Sequence, residues 1–202
     1  TTTELAYVND TLDSSTTYRG VDSVTGGIGS AVKRSVTTFI GNEGEEKAKW
    51  TYNYNFLGTE IKTTTELAYV NDTLDSSTTY RGVDSVTGSI AGAVKRSVTT
   101  FIGNEGEEKA KWTYNYNFLG TEIKTTTELT YSNDTLVDST TYRGVDSVTG
   151  SIASATKRSV TVFTGNEGEE KALTTFAYNF LGSEVKTTTQ LAYTNDTLTS
   201  ST

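Results

Sequence analysis

The dodecapeptide Thr-Thr-Thr-Glu-Leu-Ala-Tyr-Val-Asn-Asp-Thr-Leu opens the chain at Thr1 and returns unchanged at Thr63. Close variants of it start at Thr125 and Thr187, so the period is 62 residues each time, with no insertion or deletion. Residues 1–62 and 63–124 differ only at Gly27/Ser89, Gly29/Ala91 and Ser30/Gly92. Residues 125–186 differ from the second copy at 14 of 62 positions. A fixed period restricts the fold to a tandem array in which each unit packs mainly on its neighbours. The chain therefore divides into repeats 1–62, 63–124 and 125–186, with 187–202 opening a fourth.

Repetition also explains the composition. The chain has no Cys, His, Pro or Met, because whatever one short unit lacks, every copy lacks. Without His or Cys, the usual zinc, haem and iron–sulfur ligand sets cannot be assembled, and no cofactor is expected. Thiol nucleophiles and Ser-His-Asp triads are excluded on the same ground. A net charge of −8 argues against a nucleic-acid backbone or an anionic membrane as partner. No apolar stretch is long enough for a membrane-spanning helix. The first residue is Thr, as expected of a processed end or of a segment cut from a longer chain.

Within the period, three stretches share one plan: an extended run, a turn cluster, and a second extended run. They begin at Glu4, Ser35 and Trp50, and their turn clusters are Asn9-Asp10, Gly41-Asn42-Glu43-Gly44 and Asn55-Phe56-Leu57-Gly58. Asn, Asp and Gly tolerate positive φ, so such clusters between β-rich runs signal hairpins. Alternation supports strands. Trp50, Tyr52, Tyr54 and Phe56 fall on one face by period two, with Thr51, Asn53 and Asn55 on the other. The same rule puts Ile61, Thr63, Thr65, Leu67 and Tyr69 together, opposite Glu60, Lys62, Thr64 and Glu66. Threonine supplies 42 residues and favours strands. Gly44 to Lys49 is too short for an independent helix and reads as a turn leading into a strand. The stretch from Val21, VDSVTGGIGSAV, reads as a looser strand or connector. The expected fold is all-β: a tandem-repeat array of β-hairpins, spiral or solenoid-like. Each unit should carry about three hairpins and six strands, burying Val, Ile, Leu and aromatic faces and leaving Thr, Lys and Glu faces wet.

From Tyr52 the sequence runs Tyr-Asn-Tyr-Asn-Phe-Leu-Gly-Thr-Glu-Ile. This resembles the tyrosine-aspartate (YD) repeats of Rhs-type and teneurin-like proteins, with Tyr52, Tyr54 and Gly58 at matching positions and Asn55 where that family has Asp. The pattern returns at Tyr114, Tyr116, Asn117 and Gly120, and at Phe176, Tyr178, Asn179 and Gly182. It departs from the family in having Thr or Ser after the Gly and one extra residue before Ile61. About a third of each unit carries the match. The resemblance implies a β-hairpin spiral in a large cell-surface protein, and transfers neither toxin cargo nor autoprotease.

Several residue sets suggest sites. Asn9, Asn71, Asn133 and Asn195 each begin an Asn-Asp-Thr sequon, a candidate glycosylation acceptor on a hairpin tip, although the turn itself favours Asn-Asp. Asp10, Asp13, Glu43, Glu45 and Glu46 offer oxygen for calcium, but no ligand loop of known spacing is present. Trp50, Tyr52, Trp112 and Tyr114 form a candidate sugar-stacking platform, with cross-strand packing as the simpler account. Lys33, Lys47 and Lys62 are candidates by type for an isopeptide cross-link. Thr63 and Thr65 are similar to ice-binding faces, but one pair per period is sparse. Carboxylates repeated in every unit do not make the unique cleft a catalyst needs, so no enzyme is expected. The expectation is a structural segment of an extracellular filament, stalk or giant cell-surface protein that assembles with itself head to tail or laterally. An adhesin binding cell-surface glycans is the alternative.

Overall fold

Asn9 and Asp10 carry φ of 51° and 66°, the left-handed pair that a two-residue hairpin turn demands. The same pair recurs at Asn71-Asp72, Asn133-Asp134 and Asn195-Asp196. The computed structural model describes residues 1–202. Around these turns the chain forms strands β1 (Thr2–Val8), β2 (Thr11–Arg19), β3 (Val32–Ile40), β4 (Lys47–Tyr54), β5 (Ile61–Val70), β6 (Thr73–Arg81) and β7 (Val94–Ile102). It continues through β8 (Lys109–Tyr116), β9 (Ile123–Ser132), β10 (Thr135–Arg143), β11 (Thr156–Thr164), β12 (Lys171–Tyr178), β13 (Val185–Thr194) and β14 (Thr197–Ser201). Each strand neighbours the next in chain order, so the topology is an antiparallel meander without helices. Two compact units are present, Thr1–Val98 and Thr99–Thr202.

The three turn clusters all join strands, but the strand count differs from expectation. Four strands, not six, lie between Thr2 and Tyr54. The reason is that strands are shared: β4 closes the hairpin after Gly41 and opens the one after Asn55. The fourth connection, 20–31, is an irregular connector rather than a strand. Lys47 begins β4, so Gly44 to Lys49 is indeed a turn and a strand start.

In the first unit every hydrogen-bonded pair from β1 to β6 contains a one-residue register shift. These bulges break the strict alternation. Between β4 and β5, Tyr52 faces Thr64 and Asn53 faces Thr63, but Tyr54 faces Ile61, leaving Lys62 as the extra residue. A bulge moves the residues beyond it to the other face. Ile61 and Thr64 consequently lie on one side, at 4% and 0% exposure, although period two separates them. Phe56 leaves the strand and stands 80% exposed in the turn.

The core is thin. Ile61 and Ile123 are the buried apolar side chains, and Thr64, Thr126 and Thr140 are the buried polar ones. Threonine thus occupies interior positions expected for aliphatic residues, while Val24, Leu57 and Val86 are exposed. The cause is topological: a meander supplies no second sheet, so only a loop can cover a face.

The opposite face carries a hydroxyl row. Register places Thr37 against Thr51, Thr51 against Thr65, and Thr65 against Thr79. Thr37 and Thr51 share a hydrogen bond of 3.0 Å, as do Thr65 and Thr79 at 2.9 Å. In the second unit Thr99–Thr113, Thr127–Thr141 and Thr161–Thr175 repeat it at 3.0, 2.9 and 3.0 Å. Threonines that are sparse along the chain are therefore dense across the strands.

Candidate functional site

The most elaborate local chemistry lies in the connector between β6 and β7. Asp84 organises it: its Oδ1 accepts from the Val86 and Thr87 amides at 3.1 and 2.7 Å and from the Thr87 hydroxyl at 2.8 Å. The Gly88 amide donates to the Asp84 carbonyl at 2.9 Å. The Thr87 amide, then its hydroxyl, hold the Asp84 carboxyl below its ordinary pKa. Short polar residues that bond their own backbone favour such a turn.

The folded connector then grips β4 and β5, strands that lie at and across the boundary with the preceding period. Thr64 Oγ1 donates to the Gly88 carbonyl at 2.8 Å, and the Ile61 amide donates to the Ser85 carbonyl at 2.8 Å. Gly88 is buried against the Tyr52 ring so closely that a β-carbon there would stand 2.6 Å from Cε1. Its φ of 71° adds a second reason for glycine. The second unit repeats this clasp: Thr126 donates to Gly150 and the Ile123 amide to Ser147, both at 2.8 Å. Gly150 lies over Tyr114 with the same 2.6 Å approach.

The turn that resembles the YD motif is fixed by its asparagine. Asn55 Oδ1 accepts from the Thr59 amide at 3.0 Å, and its Nδ2 donates to Thr59 Oγ1 at 3.1 Å. Arg19 donates to the Asn55 carbonyl at 2.6 Å and lays its guanidinium 4.7 Å from the Phe56 ring centre. Arg143, Asn179 and Phe180 repeat the arrangement.

At the other strand ends the acidic turns serve the backbone. Glu46 accepts from the Leu12 and Gly44 amides, each at 3.0 Å, and these amides, Leu12 foremost, lower its pKa. Glu170 does the same for Leu136. No three acidic side chains converge into a metal-holding group, so Asp10, Asp13, Glu43, Glu45 and Glu46 do not form one. Lys109 bridges Asp134 at 3.0 Å and Glu167 at 2.8 Å. Of the candidate cross-linking lysines, Lys47 pairs with the exposed Asp72, Lys62 with the exposed Glu60, and Lys33 lies over the Tyr54 ring.

Asn9, Asn71, Asn133 and Asn195 are exposed at turn tips, where the left-handed backbone by itself accounts for Asn. The aromatic candidates are half-buried. Lys49 lies 5.5 Å from the Trp50 ring centre and Lys111 5.4 Å from Trp112, while Tyr52 and Tyr114 lie beneath the clasp glycines. Trp112 and Tyr114, with the 149–152 connector, line a hollow of about 210 Å³.

Sequence reasoning missed the clasp residues Ile61, Thr64, Asp84 and Gly88. Its one local signal is the repeated Asp-Ser-Val-Thr-Gly, which has Asx-turn composition; the partner strands 24 residues away carry none. No protein-family model matches the chain, and no curated protein matches it.

Proposed function

We infer that this chain is a non-catalytic structural segment: a 62-residue tandem array of hairpins, spiral in character, within an extracellular filament, stalk or giant cell-surface protein. The observation that carries this reading is the clasp. Gly88 of one period rests on Tyr52 of the period before it, so neighbouring repeats are mechanically joined rather than strung as independent beads. Repeat-to-repeat burial is how such arrays resist extension, and the resemblance to YD repeats points the same way. The acidic side chains support a non-catalytic role, because Glu46, Asp84 and Glu170 are occupied with backbone amides. Electron microscopy of proteins carrying three, six and nine copies tests the reading. Particle length should grow in proportion to copy number; compact particles of unchanged length would refute it.

The adhesin reading has one observation in its favour, the hollow between Trp112, Tyr114 and the connector. Aromatic faces beside a polar loop suit a sugar ring. A glycan array run with Trp50→Ala and Trp112→Ala decides it: glycan binding lost in both variants would promote this reading over the structural one.

A further inference from the structure

One side-chain trio is kept in two repeats and replaced as a whole in the third. Lys49 and Trp50 on β4 meet Glu66 on β5, and Lys111 and Trp112 on β8 meet Glu128 on β9. The matching positions on β12 and β13 hold Leu173, Thr174 and Gln190. The ladder is the same in all three places: Trp50 stands opposite Glu66, Trp112 opposite Glu128 and Thr174 opposite Gln190. On the other side of the strand, Lys49 and Leu173 are the extra residue of the same bulge. A bulge re-aims its side chain. The Lys49 and Lys111 ammonium groups end 3.3 and 3.1 Å from the carboxylates of Glu66 and Glu128. Each also lies on its neighbouring indole, 5.5 and 5.4 Å from the ring centre. Because the strands pair equally well with Leu, Thr and Gln, the trio is not what holds them together.

The hollow of about 210 Å³ adjoins this trio, since Trp112 is one of its walls. Drug-sized ligands occupy pockets from about 300 Å³ upward, so this one has room for a single ring. Tyr114 and the connector residues 149–152 form the other walls. Within the connector, Ser151 is exposed, and its hydroxyl accepts from the Ala153 amide at 3.4 Å, which leaves the proton free to donate. Beside the indole, Glu128 and Lys111 set an acceptor and a donor together with no net charge. Aromatic faces take the C–H side of a sugar ring, and a paired acceptor and donor suit neighbouring hydroxyls. Deepening the glycan reading above, on which this rests, we propose that Trp112, Tyr114, Ser151 and the Lys111–Glu128 pair bind one neutral hexopyranose unit. Trp50, Tyr52, Ser89 and the Lys49–Glu66 pair form the same site in the first unit, where Gly88 lies over Tyr52 as Gly150 does over Tyr114. Charge sets the class. A uronic acid meets the like charge of Glu128 and an amino sugar that of Lys111, whereas a neutral ring meets neither. The β12–β13 pair, with Leu173, Thr174 and Gln190, carries no such site.

The two tryptophans of the chain both stand in the proposed sites, so indole fluorescence reports on nothing else. The protein is titrated with the methyl glycosides of glucose, galactose, mannose and N-acetylglucosamine, and with glucuronic acid and glucosamine as charged counterparts. Saturation-transfer NMR is run on the same samples. At least one neutral glycoside should bind with a Kd on the order of 1 mM, as the contacts of one ring allow. Both charged counterparts should bind about tenfold more weakly or worse. Trp50→Thr with Trp112→Thr, which installs the residue that β12 already carries, should abolish the NMR signal. Glu66→Gln with Glu128→Gln leaves each ammonium without its carboxylate. It should move the preference toward glucuronic acid by on the order of tenfold, a shift that a purely structural ion pair would not give. Binding by no neutral glycoside, charged sugars bound as tightly as neutral ones, or a preference unmoved by the Glu→Gln changes would overturn the proposal. The glycan array separates this failure from that of the glycan reading. Tryptophan-dependent array signals beside a failed titration leave that reading standing without the neutral-hexose site, and a blank array removes both.

Discussion

Thr64 and Gly88 lie 24 residues apart, yet the threonine hydroxyl meets the glycine carbonyl at 2.8 Å in a site closed to solvent. A hydroxyl on a side chain with no exposed surface, bonded to the carbonyl of a buried glycine, leaves neither group an alternative partner. Thr64→Val keeps the shape and β preference but orphans the Gly88 carbonyl. Its cost should be about 1–3 kcal/mol in urea unfolding, with Thr64→Ser much milder because the donor remains. Equal losses for Val and Ser would show that the methyl, not the hydroxyl, matters.

Gly88→Ala introduces two penalties, crowding against Tyr52 and a left-handed backbone. Gly82→Ala introduces only the second, since Gly82 has φ of 65° and nothing near its β position. Gly82→Ala should cost roughly 1 kcal/mol, and Gly88→Ala about 2–3 kcal/mol more. Pairing Gly88→Ala with Tyr52→Ala should recover part of the difference, as measured by thermal unfolding of the single and double variants.

Acid should loosen the connectors. Asp22, Asp84 and Asp146 all have lowered pKa values, chiefly from the threonine amide three residues on. A carboxylate with a lowered folded-state pKa contributes stability that is present above its unfolded value, about 4, and is lost as pH falls through the folded value. Amide exchange in residues 84–89 should therefore accelerate below about pH 4. Asp84→Asn keeps the acceptor oxygen without the titration, so it should flatten this pH response in its own loop. An unchanged response in Asp84→Asn would assign the effect to other carboxylates.

The Thr37–Thr51 hydroxyl pair provides a coupling measurement. Thr37→Val and Thr51→Val singly each strand one hydroxyl on a half-buried face, and the double variant strands none. Coupling of about 0.5–1 kcal/mol is expected from the double-mutant cycle. Strict additivity would mean that water satisfies each hydroxyl on its own.

Much was legible from local chemistry. Asn9-Asp10 announces its turn because few other residues accept two successive positive φ values, and Trp50, Tyr52 and Thr51 announce a strand by alternation. Legibility ended where one residue's position depended on another strand. Lys62 looks like any strand residue, but it is the bulge that carries Ile61 to the face of Thr64. The connector showed its Asx-turn residues and nothing of what it covers. Among the candidate site residues, Tyr52 was recognisable as an aromatic on a strand, whereas its place under Gly88 was not.

The sequence by itself determined the period, the turns, the strand-forming runs and the lack of any histidine or cysteine ligand or nucleophile, because each depends on composition or on a few adjacent residues. Tertiary structure alone decided which face is buried, which threonines leave water, and which repeat grips which. Those outcomes depend on register, where one bulged residue reverses every side chain beyond it, and on a connector that folds back over strands 24 residues earlier.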